Sequence, residues 1–226
     1  MTINGVVQIG LYFVLVLALA KPIGWYMGRV YTEKPCGMDR LLGPVERALY
    51  RVCGVQPTAE MDWKAYSVAM LSFNAVGVLF LYGLQRLQGF LPLNPAGLGA
   101  PSPALSFNTA VSFVTNTNWQ AYGGETTMSC LTQMLGLTVQ NFVSAATGMS
   151  VLVALIRGLA RPSAETIGNF WTDLVRSTLY ILLPLAVLLS LLLVAQGAVQ
   201  TLSPYQTAIL QQPVGYDKPM TDPNSR

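Results

Sequence analysis

Six consecutive residues, Thr115-Asn116-Thr117-Asn118-Trp119-Gln120, carry hydroxyl or amide oxygens at every position but the tryptophan, and none bears a charge. An alkali cation sheds its hydration shell only where protein oxygens replace the lost water. Channels achieve this with backbone carbonyls on a loop dipped into the membrane and held by a short helix behind it. An uncharged oxygen set suits a monovalent ion that must later leave, whereas a cluster of carboxylates favours a divalent one. The chemistry expected of Thr115–Gln120 is therefore coordination of a dehydrated monovalent cation, with potassium the leading candidate. On this reading Trp119 packs behind the loop as a wedge, and Gly123 and Gly124 allow the sharp turn back. The competing reading is a polar loop with ordinary turn residues that packs against a partner and binds no ion.

Other chemistry is largely excluded. The chain has no histidine, which removes the commonest metal ligand and the usual general base. No phosphate-binding loop, dinucleotide fingerprint or HExxH pair occurs, so no ATP-hydrolysing motif is visible and any energy for pumping is expected from another subunit. Cys36, Cys53 and Cys130 lack metal-ligand spacing and read as reduced structural thiols. Gln133, Gln140 and Thr147 recur every seven residues, with Gly136, Ser144 and Gly148 near the same face. Such a stripe either packs helices together or lines a wet path, and packing is favoured. Glu125 draws cations to an outer mouth or is an ordinary surface acid.

The elements that must position these residues belong to a membrane. Among 226 residues, 52% are hydrophobic and 10% charged, against roughly a quarter charged in soluble domains. No Lys, Arg, Asp or Glu occurs in 1–20, 65–85, 87–124, 126–156 or 177–216, and about 20 apolar helical residues cross a bilayer. Lys21, Arg29, Lys34, Arg40, Arg47, Arg51 and Lys64 all follow the first apolar run. Basic residues stay in the cytoplasm, so that helix is expected to start outside and to be retained rather than cleaved.

The expected organisation is an N-terminal transmembrane helix over 1–27 and a cytoplasmic connector over 28–62, holding a short amphipathic helix around Val45–Val52. A span–loop–span unit follows over 63–157, then a cytoplasmic loop over 158–169, a span over 170–195 in which Pro184 introduces a kink, and an external tail over 196–226. Within the unit, Pro92, Pro95, Pro101 and Pro103 end the preceding helix. Ala104–Val114 is helical but too short to span, so it reads as re-entrant. Trp63 to Gly89 and Trp171 to Gly197 match in order and spacing, which suggests a repeated unit.

The segment Phe107–Gln120, the following Gly124-Glu125-Thr126-Thr127 and the run Gly136-Leu137-Thr138-Val139-Gln140-Asn141-Phe142 resemble the potassium-binding A subunit of the Kdp potassium-transporting ATPase. Leu91-Pro92-Leu93-Asn94-Pro95 and Ala154-Leu155-Ile156-Arg157 fit the same family. The resemblance runs from Leu11 to about Tyr205 and implies an all-α integral membrane protein with potassium-channel-like span–re-entrant pore loop–span repeats after an extra N-terminal helix. It implies that Asn116, Thr117, Asn118 and Gln120 form the first quarter of a potassium filter, supported by Thr115, Trp119, Gly123 and Gly124. It also implies a non-catalytic subunit in a bacterial inner (cell) membrane that takes potassium from outside and passes it to a P-type ATPase subunit, with two small membrane subunits alongside. Potassium is then a ligand, and no covalent cofactor is expected. Three further pore loops are expected of such a protein, so the chain is expected to be truncated in the second repeat and inactive alone.

Overall fold

The computed structural model describes residues 2–161, 163 and 165–199. All regular structure among them is helical. Helix α1 spans Ile3–Tyr31, α2 Asp39–Cys53 and α3 Trp63–Leu87, the last tightening into a 3₁₀ turn at Gln88–Phe90. Helix α4 spans Pro103–Val114 and the single turn α5 Gly124–Thr127. Helix α6 runs over Thr132–Ala160 and α7 over Phe170–Ala195. Four of these, Ile3–Tyr31, Trp63–Phe90, Thr132–Ala160 and Phe170–Ala195, are long and apolar enough to cross a membrane.

Helix starts follow their caps. Asp62 accepts from the Ala65 amide at the head of α3. Ser102 does so from Leu105 at the head of α4, where Pro103 fills the first helical position. Asn169 takes the amides of Trp171 and Thr172 at the head of α7. Each satisfies donors that no earlier turn can reach.

Both α6 and α7 contain a π-helical stretch, Thr132–Thr138 and Ser177–Leu182. The second directly precedes Pro184, the expected kink. A proline has no N–H to give the carbonyl four residues back. Here that carbonyl belongs to Tyr180, and the Tyr26 hydroxyl of α1 donates to it at 2.7 Å. The backbone group released by the proline thus ties α1 to α7.

Four helix ends meet at one pole. Arg157 near the end of α6 forms a bidentate pair with Asp173 of α7 at 2.6 and 2.9 Å. Tyr66 of α3 donates to the same carboxylate at 3.1 Å, and Arg157 also donates to the Tyr31 carbonyl of α1. Gly168 sits so close to this guanidinium that an added Cβ would overlap it, and its φ is +104°. Arg161 pairs with Glu60 across the same pole. Around it, Tyr66, Ala146, Ala154, Phe170 and Leu174 form an apolar cluster.

Helices α3 and α6 approach through glycines. A Cβ on Gly136 would come within 2.8 Å of both Leu81 and Leu84, and one on Gly77 would lie 3.1 Å from the Gln140 side chain. Small residues are what let membrane helices close to this distance. The Gln140–Thr147 stripe is accordingly buried, although Gly148, expected on the same face, is exposed.

Several boundaries differ from expectation. α1 continues to Tyr31 instead of ending at residue 27. The connector helix begins at Asp39, well before Val45, and carries Pro44 inside it. Gly43 and Pro44 signal a break in the sequence, but Gly43 is used for packing: it is buried, with Tyr180 4.0 Å from its Cβ position. Helix α6 reaches Ala160, past the expected end of the unit at 157. Of the expected tail over 196–226, residues 200–226 lie outside the described residues.

Candidate functional site

Helix α4 packs between α3 and α6. Ala110 and Phe113 are fully or almost fully buried with Leu81, Met128 and Leu137, and Val114 lies against Gly77. Gly77 falls fourteen residues after Trp63 and thirteen before Phe90, the middle of that span. The turn after Val114 also reaches the middle of α6, where the Ser144 hydroxyl donates to Asn116 Oδ1 at 3.3 Å.

The turn itself is a helix C-cap with a defined hydrogen-bond pattern. The Asn116 amide donates to the Phe113 carbonyl at 3.3 Å, and the Thr117 amide to Ser112 at 2.9 Å. Asn116 has φ +58°. This is the Schellman arrangement, in which a left-handed residue just past the helix lets two amides turn back onto its last free carbonyls. The Asn118 amide also reaches Ser112 at 3.2 Å, and Asn118 is again left-handed at +58°. Asparagine tolerates this region better than other residues with a Cβ.

The consequence is a sorting of polar groups. The amides of Thr115 to Asn118 all point back to α4, and the Thr115 hydroxyl also donates to it, at Val111, 2.9 Å away. The carbonyls of Thr115, Asn116, Thr117 and Asn118 accept no hydrogen bond among the described residues, and all six residues of Thr115–Gln120 are exposed. Their oxygens face outward from the carboxyl end of a helix, where the macrodipole contributes about half a negative charge. The arrangement suits a cation, without any formal negative charge. The carboxylates among the described residues likewise form no cluster able to hold a metal ion.

Three details depart from the sequence reading. Trp119 does not pack behind the turn, because its side chain is 57% exposed. The anchor is Ser112, whose hydroxyl donates to the Trp119 carbonyl at 2.9 Å. Gly123 and Gly124 do not supply the reversal, since Gly123 has φ −86° and Gly124 begins α5; the left-handed positions are Asn116 and Asn118. Gly123 is constrained sterically instead, its Cβ position lying 3.0 Å from Thr126 Oγ1. Glu125 is exposed in the first turn of α5. Ser112 and Tyr122, which packs against the cluster under α4, escaped the sequence reading, and Ser144 was placed only on the α6 stripe, without its link to this turn. A Ser two residues before the last helical residue, Val114, with Asn two past it is the signal that was available.

Beneath the return path lies Gln88, fully buried and saturated. Its amide donates to the carbonyls of Gly99 and Thr127 at 2.6 and 2.8 Å, and its oxygen accepts from the Ser129 amide and the Thr132 hydroxyl, each at 3.1 Å. One side chain thus joins the end of α3, the segment leading to α4 and the start of α6.

These features define an all-helical membrane protein with a short helix ending among uncharged oxygens midway along two long helices. Residues 10–218 match the family of the potassium-transporting ATPase A subunit, and the chain belongs to that family. It is 62% identical over 211 residues to the potassium-transporting ATPase potassium-binding subunit of Herpetosiphon aurantiacus, covering 93% of this chain and 36% of that one. The subunit of the same name from Methylococcus capsulatus is 60% identical over 222 residues, 98% of this chain and 37% of the relative. That of Sorangium cellulosum is 60% identical over 214 residues, with 95% and 37% covered. The chain thus spans little more than a third of the length of the relatives it matches.

Proposed function

We propose that Thr115–Gln120 is one side of a potassium-selective filter, with α4 as its re-entrant support between the spans α3 and α6. The observation that carries this reading is the sorted turn at the end of α4: amides turned inward, four carbonyls turned outward, at the mid-depth of the flanking helices. Irregular backbone at such a depth is tolerated only against protein or a wet cavity. Asn116, Thr117, Asn118 and Gln120 contribute the oxygens. Thr115 holds the turn to α4, and Gly123 permits the close return. Trp119 belongs to the filter segment without the wedge role.

One segment surrounds only part of an ion, so the remaining oxygens come from elsewhere in the assembled protein. In that context the subunit takes potassium from outside a bacterial cell membrane and delivers it to a P-type ATPase subunit that hydrolyses ATP, with two small membrane subunits beside them. The first unit then comprises residues 63–157 and the second opens with α7.

The test is potassium-stimulated ATP hydrolysis by the complete complex carrying Asn116→Ala with Gln120→Leu. The filter reading expects half-maximal stimulation to move to at least tenfold higher potassium. An unchanged potassium dependence with normal assembly sinks it and leaves a loop that packs against a partner.

A further inference from the structure

Helix α2 presents three faces that no single neighbour explains. At about 100° per residue, Asp39, Gly43, Glu46 and Tyr50 share one face, and this face meets the protein. Glu46 accepts from Tyr50 at 2.8 Å, from Arg176 at 2.9 Å and from Tyr180 at 2.7 Å. Leu41, Val45, Leu49 and Val52 share a second face and are 73%, 45%, 37% and 84% exposed. Arg40, Arg47 and Arg51 fall on a third, within a sector of roughly 40°.

The charges are unequally committed. Glu46 is held by Arg176, and Asp39 accepts from the Cys36 and Gly37 amides at 2.8 and 3.1 Å. The three arginines of α2 pair with no acid among the described residues. The helix therefore shows a solvent-side excess of three positive charges beside an uncovered apolar face.

Its depth is set by its partners. The uncharged stretch of α7 beginning at Ser177 runs to Ala195, nineteen residues or roughly 28 Å of helix, against a hydrocarbon core of about 30 Å. Arg176 therefore marks the boundary of that core. Through Glu46, α2 is fastened to Arg176 and to Tyr180 one turn further in.

We infer that α2 lies along the membrane interface, with Leu41, Val45, Leu49 and Val52 in the acyl region and Arg40, Arg47 and Arg51 binding anionic phospholipid headgroups. A helix with a strong apolar face, a basic face and low net hydrophobicity takes this position. Each basic residue near an anionic surface is worth roughly a fivefold gain in affinity. The membrane, rather than another protein, is the occupant that accounts for the arginine stripe, the apolar face and the boundary depth together.

Two measurements on the full chain test this. In nanodiscs of equal phosphatidylglycerol and phosphatidylcholine, spin labels at Leu41→Cys, Val45→Cys or Val52→Cys, with the native cysteines replaced by serine, should collide with oxygen and be shielded from a water-soluble nickel chelate. Labels at Arg40→Cys or Arg51→Cys should show the reverse. Labels on the apolar face that are immobile and shielded from both reagents mean that protein covers it, and labels open to nickel mean that water does; either overturns the inference. In the chain with native cysteines, Arg40→Gln, Arg47→Gln and Arg51→Gln combined should cut phosphatidylglycerol retained in native mass spectrometry by at least tenfold relative to phosphatidylcholine. Equal retention overturns the headgroup assignment.

Discussion

At Asn116 backbone and side chain do separate work, and substitutions can part them. The backbone is left-handed, and the amide oxygen meets Ser144. Asn116→Gly keeps the turn at little cost, whereas Asn116→Val puts a β-branched residue at positive φ and should destabilise the chain by about 1–3 kcal/mol. Thermal unfolding in detergent measures the contrast; equal losses would mean that the handedness is not what the turn requires. Asp173 makes a second case. Its side chain is 2% exposed and holds both Arg157 nitrogens. Asp173→Ala leaves the guanidinium unpaired, with an expected loss of about 3–5 kcal/mol. A loss below about 1 kcal/mol in reversible unfolding would show that water or lipid headgroups replace the carboxylate. The oxygen-rich run at Thr115–Gln120 was legible because residue type alone displays it. The anchor Ser112 was not, since a serine inside an apolar helix looks like any other packing residue until the turn after it folds back. The same limit misassigned Trp119: an aromatic beside a loop suggests burial, yet the ring packed there is Tyr122, half-buried against the cluster under α4.

Among the elements, the four long helices were legible from uncharged windows, because a bilayer tolerates so few charges in its core. Their ends were less so, since the charge that closes a window need not end the helix; α1 passes Lys21 and Arg29 before it stops at Tyr31. Helix α2 was half seen, as Gly43 and Pro44 disguised a start that depends on docking. That docking has a pH signature. Burial pushes the Glu46 carboxyl up, but hydrogen bonds from Arg176, Tyr180 and Tyr50 outweigh it and hold it below its usual value. A carboxyl depressed in the fold contributes stability that is present above its unfolded value, about 4.3, and is lost as pH falls through the folded one. Wild type should therefore lose more stability than Glu46→Gln on acidification below about pH 4.3, because other acids, Asp39 and Glu60 among them, are common to both chains. Parallel curves from denaturant unfolding would mean that Glu46 does not fasten α2.

For the whole molecule, charge and connectivity have to agree about orientation. The ends of α1 and α6 and the beginnings of α3 and α7 are joined by Arg157, Asp173, Tyr66 and the Tyr31 carbonyl. Basic residues gather toward this pole, whereas Arg86, at the far end of α3, is held by the Pro101 carbonyl. Basic segments resist translocation, so the Arg157 pole should face the cytoplasm and the α4 turn should open to the outside. A filter loading from outside requires that orientation, because α4 enters and leaves on the side opposite the basic pole. Cys53, exposed at the end of α2, reports it directly. A membrane-impermeant maleimide should modify Cys53 in inside-out vesicles and leave it unmodified in right-side-out ones. With Cys36 and Cys130 changed to serine, the labelling belongs to Cys53 alone. Modification in right-side-out vesicles would invert the molecule, turn the Thr115–Gln120 oxygens toward the cytoplasm, and remove uptake from outside as the task of this site even if the residues bind potassium.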